Sequence, residues 1–195
     1  LVTGVQTCAL PILGGGCEVG LYHDYRTISK SPGGCDHYAL PECFLGLVPG
    51  WGGTQLVTKL AGPEKAIELI IMNPLNQNKM INSIKAFEMG LADFLLAPND
   101  FTGQSLAILE GIITGEVKVD RKKVDPKMSD DLYNQTKFQI LGRVHSGAIA
   151  PYQALDLIRG AAGWTLEEGF KQEPETLADM ILSDQGFETA GSPLA

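Results

Sequence analysis

Apolar side chains in the second half of the chain recur at intervals of three and four residues, the spacing of one helix face. The first such face predicts a helix over residues 99–114 and consists of Phe101, Ser105, Ile108, Leu109, Ile112 and Ile113. Further helices are predicted over residues 131–144, 149–159 and 166–182, with Pro151 and Gly163 as interruptions. The carboxyl-terminal part of the chain is therefore expected to be helical.

The first half instead alternates short apolar stretches with turn residues. Strand character is found in residues 25–28, 38–40 and 91–96, and a turn is predicted at 31–34. Helices are predicted over 17–24, 54–60, 63–72 and 84–89, where Gly62 and Gly90 end two of them. Residues 73–82 are expected to form a loop, and residues 118–131 a linker or exposed loop. Short strands followed by helices indicate an α/β fold.

Composition and charge exclude several classes of protein. The 195 residues are 44% hydrophobic, which suits one soluble globular domain. Fifteen Lys and Arg stand against 23 Asp and Glu, a formal net charge of -8, and the sequence has no basic block. Nucleic acid is therefore not an expected partner, because phosphate binding needs clustered Lys and Arg. No apolar run approaches the roughly 18 residues of a membrane span, and a cytoplasmic location is predicted.

The cysteines and histidines give no signal of a metal site or of a nucleophile. The cysteines are Cys8, Cys17, Cys35 and Cys43, and none forms a CxxC pair. Cys35 and His37 lack two further ligands, so no metal is expected and the thiols are predicted to be reduced and buried. His23, His37 and His145 are isolated, and a catalytic histidine is not expected.

A triple glycine precedes a glutamate near the amino terminus, in the stretch LGGGCEVG that ends at Gly20. Glycines that open a helix expose backbone N–H groups at the positive end of the helix dipole, where an anion or a developing oxyanion can bind. A flexible turn or a close helix crossing explains the same glycines. Glu18 then serves either as a solvated charge of the first helical turn or as part of a site.

A second glutamate lies beside a second glycine turn. Glu42 follows Pro41, and the stretch LGLVPGWGGT (residues 45–54) leads into the next predicted helix. Two carboxylates in an apolar pocket push their pKa values apart, so that one acts as an acid while the other acts as a base. The spacing leaves open whether the two side chains meet. Trp51, within the turn, is a candidate either to line a pocket or to cover the turn.

These motifs, taken together, resemble the crotonase or enoyl-CoA hydratase/isomerase superfamily. The resemblance is carried by LGGGCEVGL (13–21), YRT (25–27), LPECFLGLVPGWGGTQ (40–55) and AFEMGLAD (86–93). NPLNQNKM (73–80) and the helical tail further resemble the hydratase part of bacterial multifunctional fatty-acid oxidation proteins, in which a 3-hydroxyacyl-CoA dehydrogenase domain usually follows. The resemblance implies an α/β fold, namely a truncated ββα spiral core followed by a helical carboxyl-terminal region.

The same resemblance implies a reaction and a role for four residues. An enoyl-CoA hydratase adds water to a 2-enoyl-CoA in fatty-acid β-oxidation. Gly15 would donate its backbone N–H to the thioester oxyanion, and Gly50 would help to place the water. Glu18 would activate that water, while Glu42 would deliver the proton to the α-carbon. No metal or redox cofactor is implied, since coenzyme A arrives with the acyl-CoA substrate; a homo-oligomer or a multifunctional complex is expected.

Two alternatives stay open: an enoyl-CoA isomerase, which can work with one carboxylate, and a non-catalytic interaction module that keeps only the scaffold.

The expected organisation is a non-native segment (1–12), the carboxyl-terminal half of the core (13–116), a linker (117–130), a helical region (131–185) and a tail (186–195). Since the family has several strands and a second oxyanion-hole amide before the triple glycine, the chain is interpreted as truncated. It is therefore expected to be poorly stable and nearly inactive, with the apolar packing face of the helix over 99–114 exposed.

Overall fold

A computed structural model describes residues 13–30, 38–144 and 148–182 of the chain. Within these ranges the helices are α1 (Gly15–Leu21), α2 (Gly53–Ala61), α3 (Pro63–Ile67), α4 (Ser83–Met89), α5 (Phe101–Thr114), α6 (Asp130–Leu141), α7 (Ala150–Gly160) and α8 (Leu166–Leu182). The strands are β1 (Thr27–Ser29) and β2 (Phe94–Leu96). The predicted turn at 31–34, the segments 1–12 and 186–195, and Cys8, Cys35, His37 and His145 lie outside the described residues.

The two strands pair in parallel, with Ile28 opposite Leu95. A second contact between extended segments matters more for the site. Leu13 forms a parallel bridge with Ala39, and the N–H of Gly14 donates to the carbonyl of Ala39 at 2.9 Å. The backbone that enters the triple glycine therefore lies beside the backbone that leads to Glu42.

The hydrophobic core lies between the helices that follow the second glycine turn. Val57 on α2 and Ile70 just beyond α3 are fully buried, and so are Leu155 and Ile158 on α7. Burial of one such aliphatic side chain contributes about 1.5–3 kcal/mol relative to leaving it exposed. The packed helices form the rigid base from which the second glycine turn projects.

The helix α3 widens into a π-helix over Glu68–Met72 instead of continuing as a regular α-helix. The N–H of Asn73 accordingly donates to the carbonyl of Glu68, five residues back, at 2.9 Å. The sequence predicts one helix to residue 72 and gives no sign of this wider turn.

Several element boundaries differ from the prediction. α1 begins at Gly15, two residues early, and ends at Leu21, where the N–H groups of Tyr22 and His23 donate three residues back. The stretch 91–96 is a strand only from Phe94, and β1 is shifted to Thr27–Ser29. Proline and glycine give the chain its turns, but the exact end of each short element follows from tertiary pairing.

Residues 117–129 carry no helix or strand, and their role as a linker stays a prediction. This segment is held to the body of the protein by Arg121. Its guanidinium donates to both carboxylate oxygens of Asp93, at 2.7 and 2.9 Å, and to the carbonyl of Asp24. The Asp93 carboxylate also accepts the N–H of Arg26 at 2.8 Å.

Apolar side chains are exposed on α5 and α6. On α5, Phe101 is buried but Ile113 is 71% exposed, and on α6 Phe138 is 77% exposed. The expected exposure of apolar side chains on the helix over 99–114 is thereby confirmed at Ile113. No helix in the described ranges has the length and apolar character needed to cross a membrane.

Candidate active site

The triple glycine leads directly into α1, which begins at Gly15, and brings the backbone close to both predicted carboxylates. Gly14 has φ 56° and ψ -129°, a backbone conformation that residues other than glycine rarely adopt. A Cβ atom at Gly14 would lie 2.9 Å from Glu42 Oε1, and one at Gly15 would lie 4.0 Å from Glu18 Oε2. The structure therefore brings Glu18 and Glu42 to the same glycines, which sequence spacing left open.

Glu18 is held by the second glycine turn. The side chain is 3% exposed, and its Oε1 accepts the N–H of Trp51 at 2.8 Å and the N–H of Gly53 at 2.9 Å. Burial raises the pKa of Glu18, and the two N–H bonds partly offset that rise because they favour the ionised form. The solvated-charge interpretation of Glu18 is therefore wrong: the carboxylate is buried, and both bonds to its Oε1 come from residues more than 30 positions away.

Glu42 opens a short 3₁₀-helix, Glu42–Leu45, directly after Pro41. Its Oε1 faces Gly14, while its Oε2 is buried without a hydrogen-bond partner among the described residues. Burial, with a smaller contribution from the nearby Glu18 carboxylate, raises the pKa of Glu42 to about 7. Glu42 can thus hold or release a proton near neutral pH.

Gly50 and Trp51 are consecutive residues of the second glycine turn. A side chain at Gly50 would collide with Leu177 of α8, so the helix approaches the backbone there directly. The Trp51 ring is near Gly15, where a Cβ would lie 3.3 Å from Cζ3, although Trp51 is 64% exposed. Trp51 therefore lies beside the candidate site, at its exposed edge.

A third carboxylate, which the sequence analysis did not identify, lies in the same cluster. Glu173 on α8 is fully buried and accepts the N–H groups of Gly52 at 2.5 Å and Thr54 at 2.7 Å. It also accepts the Thr54 hydroxyl and, at 3.2 Å, the N–H of Gln55. Burial raises its pKa to about 7, against the opposing effect of these bonds.

A sequence signal for Glu173 exists in the periodicity of α8. The apolar face of this helix includes Phe170, Leu177 and Met180, which pack against the core. Glu173 follows Phe170 by three residues and precedes Leu177 by four, so its carboxylate lies on the buried face of the helix. A charge in that position needs strong hydrogen-bond partners.

The described thiols agree with the prediction. Cys17 and Cys43 are buried and not in a disulfide, and burial raises the pKa of both. Among residues 13–30, 38–144 and 148–182, no group of three or more His, Cys, Asp or Glu side chains is arranged to hold a metal ion.

Comparison with known proteins gives the same family for most of the chain. The model of the enoyl-CoA hydratase/isomerase family matches residues 10–145. A fatty acid oxidation complex subunit alpha from Pseudomonas savastanoi pv. phaseolicola is 30% identical over 169 residues, which is 83% of this chain and 22% of that protein. The same-named subunit of Pseudomonas syringae pv. tomato is 31% identical over 158 residues, 77% of this chain and 21% of its own length.

Among solved structures, an enoyl-CoA hydratase/isomerase from Pseudoalteromonas atlantica T6c superimposes with a TM-score of 0.57 at 20% identity. The superposition covers 92% of this chain and 56% of that one. At this identity the likeness shows the fold alone, and it agrees with the predicted α/β crotonase-like core. The chain spans about a fifth of the length of the curated relatives it matches.

Proposed function

This chain belongs to the enoyl-CoA hydratase/isomerase family, and we propose that its reaction is the addition of water to the double bond of a 2-enoyl-CoA thioester in fatty-acid β-oxidation. The observation that carries the proposal is the meeting of two carboxylates at the triple glycine: Glu18, which is buried, and Glu42, whose Oε2 atom is buried. The names of the curated relatives support the same pathway.

In the proposed reaction the two carboxylates have opposite tasks. Glu18 takes a proton from water as the water oxygen forms its bond to the β-carbon, and the electrons of the double bond move toward the thioester carbonyl. Glu42 then gives its proton to the α-carbon. Its pKa of about 7 supports this role, because the Glu42 side chain is protonated in a substantial fraction of the molecules at neutral pH. The N–H bonds to Glu18 support the opposite role, because they favour its ionised form.

The negative charge that develops on the thioester oxygen needs a donor, and we assign the backbone N–H of Gly15 to it. Gly15 is the first residue of α1, and the first N–H groups of a helix have no acceptor within that helix. The absence of a side chain at Gly14 and Gly15 leaves the backbone open to the substrate. One such donor lowers the barrier by about 3–4 kcal/mol in typical mutagenesis.

Gly50 is proposed to help place the attacking water through its backbone. It directly precedes Trp51, whose N–H binds Glu18, and this position in the chain supports the assignment. The Oε2 of Glu42 has no hydrogen-bond partner among the residues that the structure describes, which supports a water or substrate atom as its partner.

The test is hydration of crotonyl-CoA by the product of the complete reading frame that contains these 195 residues. Loss of ultraviolet absorbance by the enoyl thioester reports the reaction. Glu18→Gln and Glu42→Gln should each lower kcat by roughly 10²–10⁴-fold, because each removes one proton-transfer group. Glu88→Gln, an exposed glutamate of α4, is the matched control and should leave kcat unchanged.

A rate in Glu18→Gln equal to that of the control would contradict the proposed chemistry. Product analysis separates the alternatives: a shifted double bond without hydration would indicate isomerisation, and no acyl-CoA turnover or binding would indicate an interaction module.

We further propose an assembly partner, since the curated relatives are named as subunits of a complex. The cytoplasmic location stays a prediction.

A further inference from the structure

We propose that Glu173 is a positioning residue for the carboxylate of Glu18, and that it acts by holding the turn 51–54 on which Glu18 rests. The inference depends on the proposed hydratase function, because the position of Glu18 has a catalytic meaning only if Glu18 acts on the substrate. Glu173 itself is not proposed to touch the reacting atoms.

The turn 51–54 presents four consecutive backbone N–H groups, and two carboxylates divide them. Glu18 Oε1 accepts the first and the third, at 2.8 and 2.9 Å. Glu173 accepts the second and the fourth, at 2.5 and 2.7 Å. Because these N–H groups alternate along one short piece of backbone, a shift of the turn that breaks the Glu173 bonds also moves the donors of Glu18.

Helix capping explains only part of the Glu173 contacts. Gly52 is the N-cap of α2 and has no side chain to accept the helix N–H groups, so Glu173 replaces the usual local cap for Thr54 and Gln55. The bond from the N–H of Gly52 to Glu173 Oε2 belongs to the turn before the helix. This bond links α8 to the backbone that holds Glu18.

α8 lies directly against the turn, which keeps Glu173 in place. A Cβ atom at Gly52 would lie 2.5 Å from Cε1 of Phe170, and one at Gly169 would collide with Gln55. Glu173 is fully buried between these contacts. Water therefore has no ready route to replace the carboxylate as the acceptor for the turn.

Glu173→Gln is the sharpest perturbation because it changes few atoms. One acceptor oxygen becomes an NH₂ donor, so at least one of the three backbone N–H groups bound by Glu173 faces a donor whichever way the amide is turned. Glu173→Asp keeps the charge and both acceptor oxygens on a shorter side chain. Glu175→Gln, an exposed glutamate on the same helix, is the matched control.

Two measurements are needed, one of which does not depend on activity. The first is amide hydrogen exchange at Trp51 and Gly53, the two N–H groups that bind Glu18 and not Glu173. We expect exchange to be at least about tenfold faster in Glu173→Gln and unchanged in Glu175→Gln. The second is crotonyl-CoA hydration, in which kcat should fall roughly 10- to 100-fold in Glu173→Gln while KM stays within about twofold.

Partial recovery of both values in Glu173→Asp would support positioning by the carboxylate. A buried structural control, Met180→Ala on the same helix, should lower the melting temperature without lowering kcat. Unchanged exchange at Trp51 and Gly53 in Glu173→Gln would overturn the proposal whatever the turnover, and so would faster exchange with an unchanged kcat. If the wild-type protein hydrates no enoyl-CoA, the proposed function fails, whereas faster exchange in Glu173→Gln still supports Glu173 as the residue that holds the turn.

Discussion

Gly14→Ala tests whether the triple glycine is required by the neighbouring carboxylate and not only by a turn. The perturbation has two parts. Gly14 has φ 56° and ψ -129°, and an alanine held there stores about 1–3 kcal/mol of backbone strain. For a chain of this length, 1 kcal/mol lowers the melting temperature by roughly 2–4 °C, so a fall of roughly 2–12 °C is expected.

The second part acts on Glu42. The new Cβ would lie 2.9 Å from Oε1, whereas an ordinary contact begins at 3.4 Å. The carboxylate must therefore retreat by about half an ångström, and since a 1 Å misplacement can cost about 10²-fold, kcat should fall roughly tenfold. Thermal unfolding and crotonyl-CoA hydration measure the two parts separately.

Gly115→Ala is the matched control for strain alone. Gly115 has φ 81°, and no atom of the described residues would lie within 4 Å of a Cβ added there. Alanine at this position therefore costs roughly 1–2 kcal/mol and should leave kcat unchanged. A Gly14→Ala protein with wild-type kcat would refute the reasoning, as would an equal loss of kcat in Gly115→Ala.

Three further results are expected. Asp93→Asn should lower the free energy of unfolding in urea by about 3–5 kcal/mol, because it removes the buried carboxylate that pairs with Arg26 and Arg121. Arg121→Ala should lower it by about 1 kcal/mol or less, because the Arg121 side chain is exposed. Equal effects of the two substitutions would contradict this. Gly50→Ala should cost about 1–3 kcal/mol by overpacking against Leu177, and Leu177→Ala should relieve that cost in the double variant; additive losses would show that the two do not touch. Folding raises the pKa of Glu42 from 4.5 to about 7, so the folded protein favours the protonated carboxyl. The free energy of unfolding of the wild type, relative to that of Glu42→Gln, should therefore be greatest below pH 4.5 and fall by on the order of 1–3 kcal/mol as the pH rises through 7. A difference that stays flat or rises with pH would be inconsistent with a raised pKa.

The helices were predictable where local pattern and packing agree. α8 occupies the predicted range Leu166–Leu182, because its apolar residues keep one helical face throughout. The pattern predicts this first helix over 17–24, whereas α1 spans Gly15–Leu21, since glycines have low helix propensity and give no local sign that a helix begins among them. The π-helix Glu68–Met72 has no local signal that we recognise.

The candidate site was predictable to the extent that it is local in sequence. Glu18 and Glu42 each lie beside a glycine turn in the sequence, and that proximity marks both as candidate site residues. Glu173 lies about 120 residues from the N–H groups it accepts, so no short motif contains the interaction. Its only sequence signal is a charge on the buried face of α8, which gains meaning once the partners are known.

The most direct test is a crystal structure of the product of the complete reading frame with butyryl-CoA, an acyl thioester that cannot be hydrated. We predict that the thioester oxygen lies about 2.7–3.1 Å from the N–H nitrogen of Gly15, with the carboxylates of Glu18 and Glu42 on either side of the acyl α- and β-carbons. A thioester bound away from the triple glycine, or carboxylates that point away from those carbons, would contradict the proposed site.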